Sequence, residues 1–243
     1  MSLSDTRIMV FKKYQINILF SFFSFIIMLT LCAGCGTFTT DEINSGTIEY
    51  EISYPNPSEI TMSLDLMPKT LTYRFSENHT CSEISAGLGA LKTNVLTDFN
   101  EKKVIQTLNL MGKKYKVDFD QATIDSMLQA EPPIKIVTTQ ETKKIAGYDC
   151  YKAKCTTKDA GGALINYEVY YTKAIKVPNL NWFNAYKAID GMLMEYRVKR
   201  YGINMVFKAK TVSPDGADDS AFQLEGDYKS IPAAEMESYF KMY

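Results

Sequence analysis

Apolar and polar residues alternate with a period of two along most of this chain, and turn residues interrupt the alternation. The first run ends at the turn Pro55-Asn56-Pro57 and has these apolar positions: Ile48, Tyr50, Ile52 and Tyr54. The next run follows directly: Ile60, Met62, Leu64 and Leu66. A period of two places alternate side chains on one face of a β-strand, and short loops favour antiparallel neighbours. The pattern therefore predicts a mainly β protein with roughly eleven or twelve strands.

Two or three short helices are expected between the strands. Asp120 is suited to cap a helix over residues 121–129, and the prolines at 132–133 prevent its continuation. Residues 182–189 have apolar and aromatic side chains at helical spacing, which favours a helix or a turn of helix. A terminal helix is expected over residues 233–241. A long antiparallel meander must close, pair into two sheets or curl around covering elements to protect its edges.

Residues 1–36 combine a basic start, an apolar run and small residues before a cysteine. The basic residues precede the apolar run 16–31: Arg7, Lys12 and Lys13. The order is typical of a bacterial lipoprotein signal peptide in which Cys35 carries the lipid. Cys32 stands where such sequences usually carry Leu, Val or Ile. The alternatives are a secretory signal and an uncleaved membrane anchor, although the apolar run is shorter than the span of about 20 residues that crosses a bilayer.

The lipoprotein interpretation divides the chain into a signal peptide at 1–34, a lipid-anchored tether at 35–45 and one β-rich domain with a C-terminal helix at 46–243. Without the signal peptide, 243 − 34 = 209 residues remain, a length that suits a single β domain. Two or more acyl chains on Cys35 would hold the protein stably at a membrane. We therefore expect a lipid-anchored protein of the cell envelope, on the outer membrane facing the periplasm.

Charge and motifs argue against several classes of function. The formal net charge is −1, and residues 1–34 hold three basic residues and one acidic residue, so the remainder has −1 − 2 = −3. A mildly acidic domain has no electrostatic basis for binding nucleic acid. His79 is the only histidine, and beyond residue 35 the chain has no Cys-x-x-Cys pair and no Gly-x-Ser-x-Gly motif. We therefore expect no metal, no cofactor and no enzymatic activity.

Three further cysteines follow Cys35 in the sequence: Cys81, Cys150 and Cys155. A disulfide can form outside the cytoplasm, but three thiols cannot all pair within one chain, and Cys81 could pair with either of the others. Cys150 is a candidate redox thiol. The favoured interpretation is a cysteine that packs in a strand or forms a disulfide, because no basic helix N-terminus is near to lower its pKa.

Three segments carry a resemblance to a known family. Residues 143–153 match the pattern K-x-I-x-G-Y-x-C-x-K-A, residues 191–195 form an apolar stretch that begins with Gly and ends with Glu, and residues 222–229 resemble a closing F-x-L-P-x-x-Y-K with Glu225 in place of Pro. Over roughly residues 46–240 the chain resembles the GLPGLI-type and related domain-of-unknown-function lipoproteins of Gram-negative envelopes.

The domains of these lipoproteins resemble the LolA/LolB-like fold of envelope proteins. The resemblance implies a curved antiparallel sheet, an open half-barrel, with short helices over its concave face. It also implies that a lipid or acyl chain binds between sheet and helices, although a fold does not fix a function.

The candidate ligand cavity consists of aromatic, Met and Leu side chains on the inward faces of the predicted strands: Tyr50, Tyr54, Met62, Leu64, Tyr73, Phe75, Met194, Tyr196, Met205 and Phe207. Flexible Met and amphipathic Tyr suit an adaptable apolar pocket, but the same residues would also fill an ordinary core. We expect a non-catalytic binding module for a hydrophobic ligand, such as a lipid or acyl chain. The alternative is a structural or protein-interaction lipoprotein with a packed core and no ligand; the sequence identifies no protein partner.

Overall fold

The computed structural model describes residues 42–57, 60, 63–159, 161–200 and 202–241, and in these residues twelve strands form one sheet. The signal peptide, Cys35 and Met62 lie outside the described residues. The strands are β1 (Gly46–Ser53), β2 (Thr70–Phe75), β3 (His79–Ala86), β4 (Leu91–Asp98), β5 (Lys103–Leu110), β6 (Lys113–Phe119), β7 (Lys135–Ile145), β8 (Tyr148–Lys158), β9 (Leu164–Thr172), β10 (Met192–Arg200), β11 (Ile203–Ser213) and β12 (Lys229–Ser230).

The sheet is open and curved, and its strand order is β12-β6-β5-β4-β3-β2-β1-β11-β10-β9-β8-β7. Every neighbouring pair is antiparallel except the two-residue β12, which runs parallel to β6. The expectation of a mainly β, curved open sheet with short helices is therefore confirmed, with the parallel β12 making the sheet mixed. All the described residues belong to one compact unit, Thr40–Tyr243.

Local sequence explains most of the strands and their turns. In β1 the side chains of Ile48, Tyr50 and Ile52 are buried and the residues between them are not. The hairpin between β5 and β6 turns at Met111-Gly112, and both residues have positive φ, 48° and 86°. Two consecutive positive φ values characterise the tight turn whose twist matches paired strands.

The predicted second strand over residues 60–66 is wrong in its described part. Leu64 and Leu66 lie in turns, where the Leu66 amide donates to the Ser63 carbonyl and the Met67 amide donates to the Leu64 carbonyl. Both edges of β1 are already paired, with β2 and with β11. The sheet therefore has no vacant position beside β1 for the 60–66 segment to occupy.

Two α-helices are present in the described residues, α1 (Gln121–Ala130) and α2 (Ala233–Lys241). Asp120 caps α1 as predicted, because its carboxylate accepts a hydrogen bond from the Thr123 amide at 2.8 Å. Neither helix of the described part combines the length and apolar character needed to cross a membrane.

The segment 178–191 forms successive tight turns instead of an α-helix. Its amides bond to carbonyls three residues back, as from Lys187 to Asn184. The Asn181 amide group donates to the carbonyls of Ile189 and Gly191, and the Asn184 side chain accepts from the Tyr186 amide. Such side-chain bonds to nearby backbone compete with helix formation, which explains the difference from the helical spacing.

Three groups of buried side chains form the core. The largest lies over β1, β2 and β9–β11, the second joins β4–β6 to both helices, and the third lies between β8–β9 and residues 186–193. In the largest group, the ring of Tyr50 makes edge contacts with Tyr73 and Tyr196, and Tyr196 stacks on Phe207 with centroids 5.2 Å apart. The Tyr50 hydroxyl donates to the Leu193 carbonyl at 2.7 Å.

Gly191 precedes β10 at a point where a side chain does not fit. Its φ is +147°, and an added Cβ would lie 2.5 Å from the Thr172 carbonyl oxygen and 2.9 Å from Tyr171 Cδ2. We expect Gly191→Ala to lower the free energy of unfolding by about 2–4 kcal/mol in urea denaturation. The control is Gly161→Ala, where Asp159 Oδ1 is 3.4 Å away and little change is expected. Equal stability of the two variants would contradict this account of Gly191.

Candidate functional site

Strands β9 and β10 pair at only one end. Thr172 pairs with Met192 and Tyr170 pairs with Glu195, with a register irregularity between Leu193 and Glu195. Beyond this point β9 continues beside β8 as far as Leu164, and β10 continues beside β11. The two strands therefore diverge, and a cleft opens in an otherwise continuous sheet.

The cleft has a volume of about 290 Å³, at the lower limit of the range of about 300–1,000 Å³ for small-molecule sites. Its lining mixes tyrosine rings with charged side chains: Lys143, Tyr167, Glu168, Tyr170, Glu195, Tyr196, Arg197 and Val206. Tyrosine combines an apolar ring with a polar tip. The cleft therefore offers both apolar surface and charge to a ligand.

Tyr186 bridges the two diverging strands. Its hydroxyl donates to the Arg197 carbonyl of β10 at 2.6 Å and lies 3.4 Å from the Tyr167 hydroxyl of β9. Burial raises the pKa of Tyr186 well above its ordinary value, so the hydroxyl stays protonated and can donate. Tyr186 thereby holds both sides of the cleft at a fixed separation.

The closed end of the cleft is held by charged and aromatic groups. Lys143 Nζ lies 3.0 Å from Glu195 Oε2 and 3.5 Å from the centre of the Tyr170 ring. The Tyr170 hydroxyl donates to Glu168 at 2.8 Å, and Lys152 is 3.1 Å from the same carboxylate. The hydrogen bond from Tyr170, followed by that from Lys152, lowers the pKa of Glu168, so it is ionised at neutral pH.

Arg197 differs from the other charged residues of the cleft. Its guanidinium lies 5.5 Å from the centre of the Tyr167 ring, a cation–π distance. Among the described residues it has no carboxylate within the 4.0 Å of an ion pair. Arg197 is therefore a cation available to a ligand.

The structure brings eight of the ten predicted cavity residues into the largest core group. Four of them are buried: Tyr50, Phe75, Met194 and Phe207. Four more are half-buried against that group: Tyr54, Tyr73, Tyr196 and Met205. Leu64 is 45% exposed and lies apart from the group. Only Tyr196 also lines the cleft, so binding of a ligand among the predicted residues stays a prediction.

Sequence reasoning missed the other residues that line the cleft. Lys143 begins the motif that carried the family resemblance, but its partner Glu195 is 52 positions away in sequence. Tyr167 and Arg197 lie on strands that the alternation predicts. The divergence of β9 from β10 depends on a register irregularity, and the period-two pattern contains no signal for it.

The three cysteines of the described residues are free and buried. Burial raises the pKa of Cys150 to about 12 and that of Cys155 to about 11, and it also raises the pKa of Cys81. A thiol acts as a nucleophile in its thiolate form, so these groups are poorly suited to thiol chemistry at neutral pH. Within the described ranges no group of three or more His, Cys, Asp or Glu side chains could hold a metal ion.

Comparison with known proteins places the chain in a family. Residues 58–228 match the family described as "Domain of unknown function (DUF4412)", and the chain belongs to that family. No curated protein matches it. A solved structure of PNGF-II is similar over 82% of this chain, with a TM-score of 0.47 and 16% sequence identity. The match spans 34% of that longer chain.

Removal of the bridging hydroxyl should loosen the cleft. We expect Tyr186→Phe to lower the free energy of unfolding by about 1–2 kcal/mol, because the Arg197 carbonyl loses a buried partner, and to raise amide hydrogen exchange along β10. The control is Tyr54→Phe, which also removes a 2.6 Å bond to a carbonyl, that of Pro68, outside the cleft. If both variants raise exchange in β10 equally, Tyr186 has no special role there.

The raised thiol pKa predicts a loss of stability in alkali. The folded state keeps Cys150 protonated to about pH 12, whereas the unfolded thiol ionises near its ordinary value of 9.0. The contribution of Cys150 to the free energy of unfolding is therefore fully present below pH 9 and is lost as pH rises from 9 to 12. In urea denaturation across this range, Cys150→Ala should lose less stability than the unsubstituted protein. If both proteins lose the same stability between pH 9 and pH 12, the raised pKa of Cys150 is contradicted.

Proposed function

We propose that this protein is a non-catalytic, lipid-anchored protein of the cell envelope that binds an amphipathic ligand in the cleft between β9 and β10. The ligand has an anionic group and an apolar part, as lipids and acyl chains do. The observation that carries the proposal is Arg197, a cation without a carboxylate partner in the described structure, beside the rings of Tyr167 and Tyr196.

The lining supports an amphipathic ligand over a purely apolar one. The rings of Tyr167 and Tyr196, with the Val206 side chain, supply apolar surface. Arg197 supplies several N–H donors, and hydrogen bonds to an anionic group are roughly twice as strong as neutral ones. The volume of about 290 Å³ suits one end of a lipid and leaves the rest outside.

The ionisation of the cleft groups supports binding over catalysis. Burial raises the pKa of Tyr167 and of Tyr170, so neither tyrosine is a base at neutral pH. Lys143 and Glu195 are ion-paired with each other. The available groups thus serve to hold a ligand and do not activate a nucleophile.

The location rests on the N-terminal sequence. Cys35 follows a basic and apolar segment of the lipoprotein type, and acyl chains on it would place the domain at the outer membrane, facing the periplasm. The motif at residues 143–153 and the open curved sheet with its two helices also support a relation to GLPGLI-type proteins and to the LolA/LolB-like fold. That relation is part of the proposal.

A structural or protein-interaction role is the second candidate. The observation in its favour is that most of the predicted cavity residues pack against one another in the core, with four of them buried. In that case the cleft would bind no lipid, and a stoichiometric protein partner would be recovered from cross-linked envelopes.

The cleft proposal is tested with monomeric lysophosphatidylglycerol, an anionic single-chain lipid, and the unit Thr40–Tyr243, which holds all the described strands and core groups. By calorimetry we expect Arg197→Ala to bind it about tenfold more weakly, since a hydrogen bond to a charged group contributes about 1.5–3 kcal/mol. The control is Lys199→Ala, an exposed cation two residues along β10 that does not line the cleft.

Binding by the unsubstituted unit, a loss with Arg197→Ala and no change with Lys199→Ala would support the cleft as the site. The proposal would be contradicted if the unsubstituted unit did not bind the lipid and its native mass spectra showed no co-purified lipid. That result would favour the structural or protein-interaction role. An equal loss in both variants would show general charge attraction and would also overturn it.

A further inference from the structure

Most of the large apolar side chains that are exposed in the described residues lie at one end of the sheet. We call this set the apolar rim: Leu64, Leu66, Leu88, Met111, Leu164 and Ile165. Leu88 is 95% exposed, Met111 is 71% exposed and Leu164 is 67% exposed. Scattered exposed apolar residues are normal on a protein surface, but the presence of six of them at the same end of the sheet needs an explanation.

Strand direction places these residues at the same end of the sheet. The antiparallel order puts the β1–β2, β3–β4, β5–β6 and β8–β9 connections at the same end of the sheet. Three of these loops are in direct contact, because the Gly87 amide donates to the Leu66 carbonyl and the Met111 amide donates to the Ala90 carbonyl, both at 2.9 Å. Leu164 and Ile165 begin β9 at the open end of the cleft.

The stability of the fold does not explain why two of these positions have long apolar side chains. Leu88 and Met111 have φ of 55° and 48°, in the left-handed region that Gly, Asn and Asp occupy most easily. Met111 is the first residue of a tight turn that strongly prefers those residue types. Long apolar side chains at such positions oppose local preference and make little contact with the core, which indicates a role outside the fold.

The end of the sheet that bears the apolar rim has more basic residues than acidic ones. The described loops at this end and the strand residues next to them contain these basic residues: Lys69, Lys92, Lys113, Lys114, Lys158, Lys199 and Arg200. The carboxylates there are fewer: Asp65, Glu83, Glu131, Asp159, Glu225 and Asp227, of which Asp65 pairs with Lys69 and Glu83 pairs with Lys92. At the opposite end carboxylates are in excess, with Asp98, Glu101, Asp215, Asp218 and Asp219 among them.

We propose that the apolar rim inserts into the interface of a bilayer that contains anionic lipids. Apolar side chains on separate loop tips with lysines between them match the layered structure of a bilayer surface, where apolar groups enter the acyl boundary and cations meet the headgroups. A protein partner fits less well, because lysine is depleted at the centres of protein interfaces. Because the opposite end is acidic, we expect only the rim end of the domain to face an anionic bilayer.

This inference goes beyond the proposed function, since rim binding requires no ligand in the cleft. The two are connected by geometry. The unpaired parts of β9 and β10 run towards the rim, so the cleft opens at the surface that would meet the lipid.

The test is co-sedimentation of the unit Thr40–Tyr243 with vesicles of phosphatidylethanolamine and phosphatidylglycerol, and with vesicles of phosphatidylcholine alone. We expect binding to the anionic vesicles that weakens with salt. The double variant Leu88→Glu and Met111→Glu should bind at least tenfold more weakly. The control is Met127→Glu, which changes a 41% exposed methionine on α1 outside the rim and should bind within twofold of the unsubstituted unit.

A second pair of variants tests the charge. Lys113→Ala with Lys158→Ala should weaken binding by about tenfold, since each lysine near an anionic surface contributes measurably. Lys173→Ala with Lys176→Ala, which removes two exposed lysines just beyond the end of β9 opposite the rim, should leave binding unchanged. Circular dichroism and melting temperature confirm that each variant is folded.

Absence of vesicle binding by the unsubstituted unit would overturn the proposal, as would an equal loss in rim and control variants. Rim variants that keep full vesicle binding but lose a protein partner would overturn it in favour of a protein interface. Arg197→Ala should keep vesicle binding and the Leu88/Met111 double variant should keep binding of monomeric lysophosphatidylglycerol, so failure of the rim proposal is distinguishable from failure of the cleft proposal.

Discussion

The pairing of β1 with β11 is the interaction on which the rest of the sheet depends. Strands β1–β6 pair in sequence order, and so do β7–β11. Within the described residues, the ladder from Thr47 opposite Ser213 to Ser53 opposite Val206 is the one pairing between strands that joins the two series. The ladder closes a long loop and has to offset the entropy of that closure. It does so by burying one face of β1 against the aromatic groups of the neighbouring strands, and without it each series would expose an unpaired edge.

The cleft follows from the same constraint. β10 must stay beside β11, which β1 fixes, while β9 stays beside β8. A register irregularity follows Leu193, where Met194 is fully buried in the core, and beyond it the ladder between β9 and β10 ends. Two tyrosine hydroxyls supply partners for carbonyls of β10: Tyr50 for Leu193 and Tyr186 for Arg197. Because buried carbonyls need partners, these two hydrogen bonds stabilise β10 where it diverges from β9.

The sequence predicts the parts of this structure that depend on local chemistry. Alternation identifies β1, and the Asp120 cap identifies α1, because each pattern fixes its own element. The same alternation over residues 60–66 gives no strand in the described part, since pairing partners are decided by the whole sheet. The turns at 178–191 depend on Asn181, whose side chain reaches two distant carbonyls. The candidate site is least predictable, because Lys143 and Arg197 line one cleft only where β9 and β10 have diverged.

The first described residues lie at the end of the domain opposite the apolar rim. Ile43 pairs with Ile175, just beyond β9 and at the end opposite the apolar rim. Residues 36–42 can span at most about 25 Å, and an eight-residue strand spans about 26 Å. Under the proposed anchoring at Cys35, the rim could reach the anchored bilayer only if the domain lay flat on it or if the tether were fully extended. The carboxylates around residues 215–219 would be repelled by anionic headgroups at the anchored end. If both proposals hold, a domain that presents the rim and the mouth of the cleft to a second bilayer would agree with both the tether length and the charge distribution.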